Sequence, residues 1–85
     1  MSMATEIIAA VEMAQRNIND QIARLQAYQS DLNQTESRIE AALAGSTLSH
    51  HDQLLEQLSA TKRTTQVTIE QLVEAQRKLD IVKQM

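Results

Sequence analysis

The chain has no cysteine, proline, phenylalanine or tryptophan, and only one glycine and one tyrosine among 85 residues. Each absence excludes something. Without cysteine there is neither a disulfide framework nor a thiolate metal site, and the redox compartment is left open. Without proline, and with Gly45 as the single glycine, almost nothing interrupts a helix except at one point just past the middle. Tyr28, the sole aromatic residue, offers no platform on which bases could stack, and no basic stripe accompanies it. Nucleic-acid binding therefore finds no support. The longest apolar run, Ile7–Val11, is far too short to span a bilayer, so no membrane insertion is expected. No basic segment precedes an apolar run, as it would in a cleavable signal peptide. The expected location is the cytoplasm, or outside the cell by a route that needs no such signal. A membrane-surface role is disfavoured too, because the apolar face lacks bulky anchors and the polar face lacks an excess of Lys and Arg.

The lack of large side chains also bears on folding. Apolar residues make up 42% of the chain, but much of that is alanine, and bulky residues supply most of a core's buried area. A chain of this size is near the lower limit for a self-sufficient core. Further helices, from a second copy or from another helical protein, are expected to complete it.

What is present is helix-forming sequence with a seven-residue repeat. Ala, Gln, Glu, Arg and Leu dominate both halves. Ala4, Val11, Ile18, Leu25, Leu32 and Ile39 recur every seven residues. Three residues after each come Ile7, Ala14, Gln21, Tyr28, Thr35 and Ala42, a weaker second column, with Ile8, Ile22 and Leu43 widening the stripe. The second half repeats the logic with Leu58, Thr65, Leu72 and Leu79, with Leu54, Thr61, Thr68, Ala75 and Val82 between them and Leu55 and Ile69 broadening the seam. Its middle, TKRTTQVT at 61–68, is polar and β-branched, so the weakest packing is expected there. Gln21, Thr35, Thr61, Thr65 and Thr68 put polar groups at seam positions, either as layers that fix alignment and partner choice or as a wet stretch. Tyr28 is expected to pack in the seam with its hydroxyl satisfied, or else to anchor in a partner's groove.

Charge is modest and uneven. The net charge is −3; residues 1–44 carry three Arg against six acids, and residues 45–85 five cations against five. Glu12, Arg16, Asp20 and Arg24 alternate in sign every four residues, and Glu74 and Lys78 share that spacing, as on a solvated helix face.

The corner is predicted at AALAGSTLSHHDQ, residues 41–53. Gly45 suits the left-handed residue that ends a helix. Ser49 suits the cap of the next helix, with Asp52 near its positive end; Ser46 and Thr47 are rival caps. The predicted architecture is all-α: one hairpin over 1–85, with helix 1 about 3–44, a turn about 45–48 and helix 2 about 49–83. Folding back would pair residues whose numbers sum to about 93. The hairpin would complete a four-helix bundle by dimerisation or with a partner. A single unbroken helix in a long parallel coiled coil is the alternative that Gly45 and its serines argue against.

Chemistry finds no purchase. His50 and His51 are adjacent, so on a helix they point about 100° apart and do not share a metal as an i,i+4 pair would. No activated nucleophile, sheltered acid–base pair or phosphate-cradling loop is discernible. The chain reads as non-enzymatic, with no cofactor, no metal and no small-molecule substrate.

Two near-equal helices around Leu43-Ala44-Gly45 resemble the small W-x-G hairpin proteins of type VII secretion, in which Trp-x-Gly forms the turn. Leu43 stands in place of that tryptophan, and the tail RKLDIVKQM lacks the family's Tyr-x-x-x-Asp/Glu export motif. The resemblance implies hairpins that pair into four-helix assemblies, and for this chain a partner or chaperone-like role rather than independent export. Co-chaperones of type III secretion needle subunits are short helical hairpins too. A self-assembling homodimeric bundle, structural or regulatory, is the alternative. The residues expected to carry either role are those of the seam: Val11, Ile18, Ile22, Leu25, Tyr28, Leu32 and Ile39 in helix 1, and Leu54, Leu58, Thr65, Ile69, Leu72, Leu79 and Val82 in helix 2.

Overall fold

The structure, a computed structural model, describes residues 3–45 and 49–85. It consists of two helices, α1 (Met3–Ala42) and α2 (Ser49–Gln84). They lie side by side and antiparallel within 67 × 15 × 13 Å. Forty residues at the ordinary helical rise span about 60 Å, so the hairpin is one helix long and two helices wide. The chain is all-α, as its repeat and its lack of breakers predict.

The corner begins two residues earlier than expected. Leu43 N–H still donates to Ile39 O at 2.9 Å. Gly45 then takes φ +81°, the left-handed conformation that terminates helices. A side chain added at Gly45 would meet no atom within 4 Å. Glycine is therefore favoured there by its backbone alone, a preference of about 1–2 kcal/mol over other residues. The rival caps Ser46 and Thr47 lie outside the described residues, as do the side chains of Ser49 and His50. Asp52 is exposed in the first turn of α2.

The seam differs from the expected one in a specific way. In α1 a seam of buried and half-buried residues runs through Val11, Gln15, Ile18, Ile22, Leu25, Gln29, Leu32, Glu36 and Ile39 to Leu43 at the corner, flanked by half-buried Ala14. Their steps alternate four and three. In α2 the same alternation runs through His51, Leu55, Leu58, Lys62, Thr65, Ile69, Leu72, Gln76 and Leu79, flanked by half-buried Thr61, Thr68 and Ala75. The first column is the expected one in both helices. The second lies four residues after it, not three. Tyr28, Leu54 and Val82, expected in the seam, are instead 47%, 41% and 44% exposed. Ile22 and Ile69 are seam residues as expected, and Leu43 and Leu55, outside the expected seam, join them.

Side-chain size accounts for the choice. Both spacings satisfy a seven-residue repeat, but the four-residue column offers Ile22, Leu43, Leu55 and Ile69. Along the middle of the hairpin the three-residue column offers Gln21, Thr35, Thr61, Thr68 and small alanines beside Tyr28, with less aliphatic bulk than Ile22 and Ile69. The alignment of the helices shifts slightly as well. Gln15 meets Asp80, and Gln29 meets Gln66, numbers that sum to 95 rather than 93.

The threonine-rich stretch satisfies its hydroxyls within α2 and forms no polar layer with α1. Thr61, Thr64, Thr65 and Thr68 donate their hydroxyls to the carbonyls of Gln57, Ala60, Thr61 and Thr64, at 2.8–3.1 Å. Each is thus satisfied by its own helix one turn back. Thr65 is buried at 6% exposure without needing a partner on α1.

Candidate interaction surface

The two helices give the hairpin two unlike faces. An antiparallel partner reverses the sense in which residues wind, so equivalent columns of α1 and α2 emerge on the same side. On one side the four-residue columns and the residues following the first column form a polar zipper. Gln15 Nε2 donates to Asp80 Oδ1 at 2.7 Å, and Gln29 Nε2 to Gln66 Oε1 at 2.8 Å. Gln76 Nε2 donates to Asn19 Oδ1 at 2.6 Å and to the Gln15 carbonyl at 2.9 Å. Lys83 Nζ reaches Gln15 Oε1 at 3.3 Å. Lys62 Nζ lies 3.3 Å from Glu36 Oε1, with both side chains half-buried. This face closes on itself.

The other face carries the three-residue columns. Ile7 and Val82, from opposite helices, line one apolar notch with Ala4, Ile8 and Met85, which places both columns on a common side. Between that notch and the corner the face shows Ala14, Tyr28, Thr68 and Leu54. Thr61 and Thr68 on this face satisfy their hydroxyls within α2, and the exposed Gln21 and Thr35 add two polar side chains to it. Tyr28 and Leu54 are thus exposed on an open apolar surface, not buried between the helices.

Charges that pair along one helix are fewer than the spacing suggests. The Glu12–Arg16–Asp20–Arg24 series contributes none of the ion pairs found among the described residues. Glu74 pairs with Arg77, not Lys78: Arg77 Nε donates to Glu74 Oε2 at 3.0 Å. That hydrogen bond, reinforced by the charges of Arg77 and Lys78, holds the Glu74 carboxyl below its ordinary range. Its support is therefore present at neutral pH and fades as acid protonates Glu74 below the usual carboxylate range; full exposure keeps it small.

His51 opens the seam series of α2. It faces the seam half-buried, and its Nε2 is buried with no hydrogen-bond partner. Among the described residues no group of three His, Asp or Glu could hold a metal ion, and no helix is long and apolar enough to cross a membrane.

The sequence reading missed Gln15, Gln29, Glu36, Lys62 and Gln76 as seam residues. The signal was available: each lies seven residues from Ile8, Ile22, Leu43, Leu55 or Ile69, or continues their series. Glu36 and Lys62 provide the clearest test. The variant Glu36→Lys is expected to lose about 1 kcal/mol in urea unfolding, and the exchange Glu36→Lys/Lys62→Glu to recover most of it. Equal losses in the single and double variants would show that the pair does not couple.

No protein-family model, no curated protein and no solved structure matches this chain.

Proposed function

We propose that this protein is a non-enzymatic interaction module that buries its open apolar face against another helical protein, as a partner or chaperone-like subunit of a bacterial secretion system of the type VII kind. One observation carries the interaction reading. Only Val11, Leu32, Ile69 and Thr65 are buried among the described residues, none of them completely, while Ile7, Tyr28, Leu54 and Val82 stand exposed along one side. A two-helix hairpin covers each apolar stripe from one direction only, and large exposed apolar surfaces mark binding sites. The secretion part rests on the resemblance: two arms of 40 and 36 residues about the corner Leu43-Ala44-Gly45.

The test is the absolute mass of the purified chain by light scattering behind a sizing column, across a concentration series, with a thermal melt at each concentration. The expected result is a monomer, or a weak concentration-dependent mixture, that melts at low temperature. A cognate partner at a hundred times its Kd would add about 2.7 kcal/mol. A concentration-independent dimer with a high, cooperative melt would overturn the proposal and support the self-assembling bundle.

A further inference from the structure

We infer, building on the interaction reading, that the open face takes helices of a different protein whose apolar stripe is flanked by acidic side chains, and not a second copy of this chain. The first ground is charge. The columns at the centre of the face, from Ile7 through Tyr28 in α1 and from Leu54 through Val82 in α2, contain no charged residue. The next column outward, three residues further along each helix, contains Arg24, Asp31 and Arg38 in α1 and Lys78 in α2. The rim thus holds three cations and one acid. The remaining positions hold five cations and ten acids, since the chain has eight and eleven. An acidic chain thus carries a net positive rim beside the face that holds Ile7, Tyr28, Leu54 and Val82.

The second ground is that these cations are uncommitted by contact. The ion pairs found among the described residues are Lys62–Glu36 and Arg77–Glu74; Arg24, Arg38 and Lys78 take part in neither. Two such faces brought together would set a positive rim against a positive rim, which disfavours self-association. Acidic flanks on a partner helix would complement it.

The third ground is size. A face 67 Å long and 15 Å wide projects roughly 1,000 Å², and a standard specific interface takes about 800 Å² from each partner. The surface is large enough for a stable complex with one helical hairpin or a pair of helices.

Two synthetic amphipathic helical hairpins serve as probes: both carry the same Leu/Ala stripe, one flanked by Glu and the other by Lys. Titration calorimetry of the full chain is expected to show binding of the Glu-flanked probe, weakened by added salt. The Lys-flanked probe is expected to bind at least about tenfold more weakly, as is the Glu-flanked probe to the Arg24→Glu/Arg38→Glu variant. Tyr28→Asp, at the centre of the face, is expected to abolish binding, whereas Gln26→Glu, on the polar side, leaves it unchanged. Equal binding of both probes, or binding of neither, overturns the inference about partner chemistry. Neither result decides whether the chain is an interaction module, which the mass measurement decides separately. A tight homodimer in that measurement overturns both.

Discussion

Ile69→Asp is expected to abolish the cooperative unfolding of the isolated hairpin, whereas Tyr28→Asp leaves it essentially intact. Heptad reading alone places both Tyr28 and Ile69 in the seam, and the structure separates them. In the structure Ile69 is 6% exposed and Tyr28 47%. Truncating a buried isoleucine to alanine costs about 2–5 kcal/mol, and a carboxylate in its place adds the cost of desolvating a charge with no partner. A single core of this size rarely supplies more than about 3–5 kcal/mol in all, so the variant has nothing left to hold it folded. Small-angle scattering reads the outcome directly. The folded hairpin has a radius of gyration of 19.4 Å, and an unfolded chain of this length about 29 Å. If Tyr28→Asp expands the chain and Ile69→Asp does not, the assignment of the second column is wrong.

Gln76→Leu is expected to act in the opposite direction, raising the melting temperature by about 4–8 °C, equivalent to about 1 kcal/mol for a domain of this size. Gln76 Nε2 donates two hydrogen bonds across the seam, but its Oε1 is buried without a partner. Each bond contributes about 0.5–1.5 kcal/mol net, and an unsatisfied buried acceptor costs about 1–3 kcal/mol. Leucine removes that unmet acceptor and adds apolar area between the helices. The groups left behind are tolerant: Asn19 is exposed, and the Gln15 carbonyl keeps its place in the helical ladder. A fall in melting temperature would mean that the glutamine's two bonds outweigh both gains.

The fold class was legible because nothing competed with it. A chain without proline, with one glycine near its centre and a seven-residue apolar repeat on either side, has few arrangements other than a helical hairpin. The first columns, Val11 to Ile39 and Leu58 to Leu79, were legible for the same reason. The second columns were not. Steps of three and of four from the first column are both compatible with the repeat. Gln15, Gln29, Glu36, Lys62 and Gln76 also look like surface residues until the opposite helix supplies their partners. Pairing is a property of two segments, and a periodicity read along one segment does not contain it. The self-satisfied threonines are an intermediate case. Thr61, Thr64, Thr65 and Thr68 sit where i to i−4 bonding is available from the spacing alone, but a seven-residue repeat does not say whether a hydroxyl turns to its own helix or to a neighbour. The candidate surface became visible only once Tyr28, Leu54 and Val82 were moved out of the seam.

The Glu36–Lys62 pair also has a consequence in time. A hairpin zips from its corner, because the contacts nearest the turn close the shortest loops and form first. Glu36 lies seven residues before Leu43, so its encounter with Lys62 comes early in that closure. Sliding α2 by one heptad would keep every large apolar residue in a column but would set Glu36 beside Leu55 or Ile69, burying a carboxylate against hydrocarbon. The polar pair therefore favours one alignment among several that the apolar residues alone would accept.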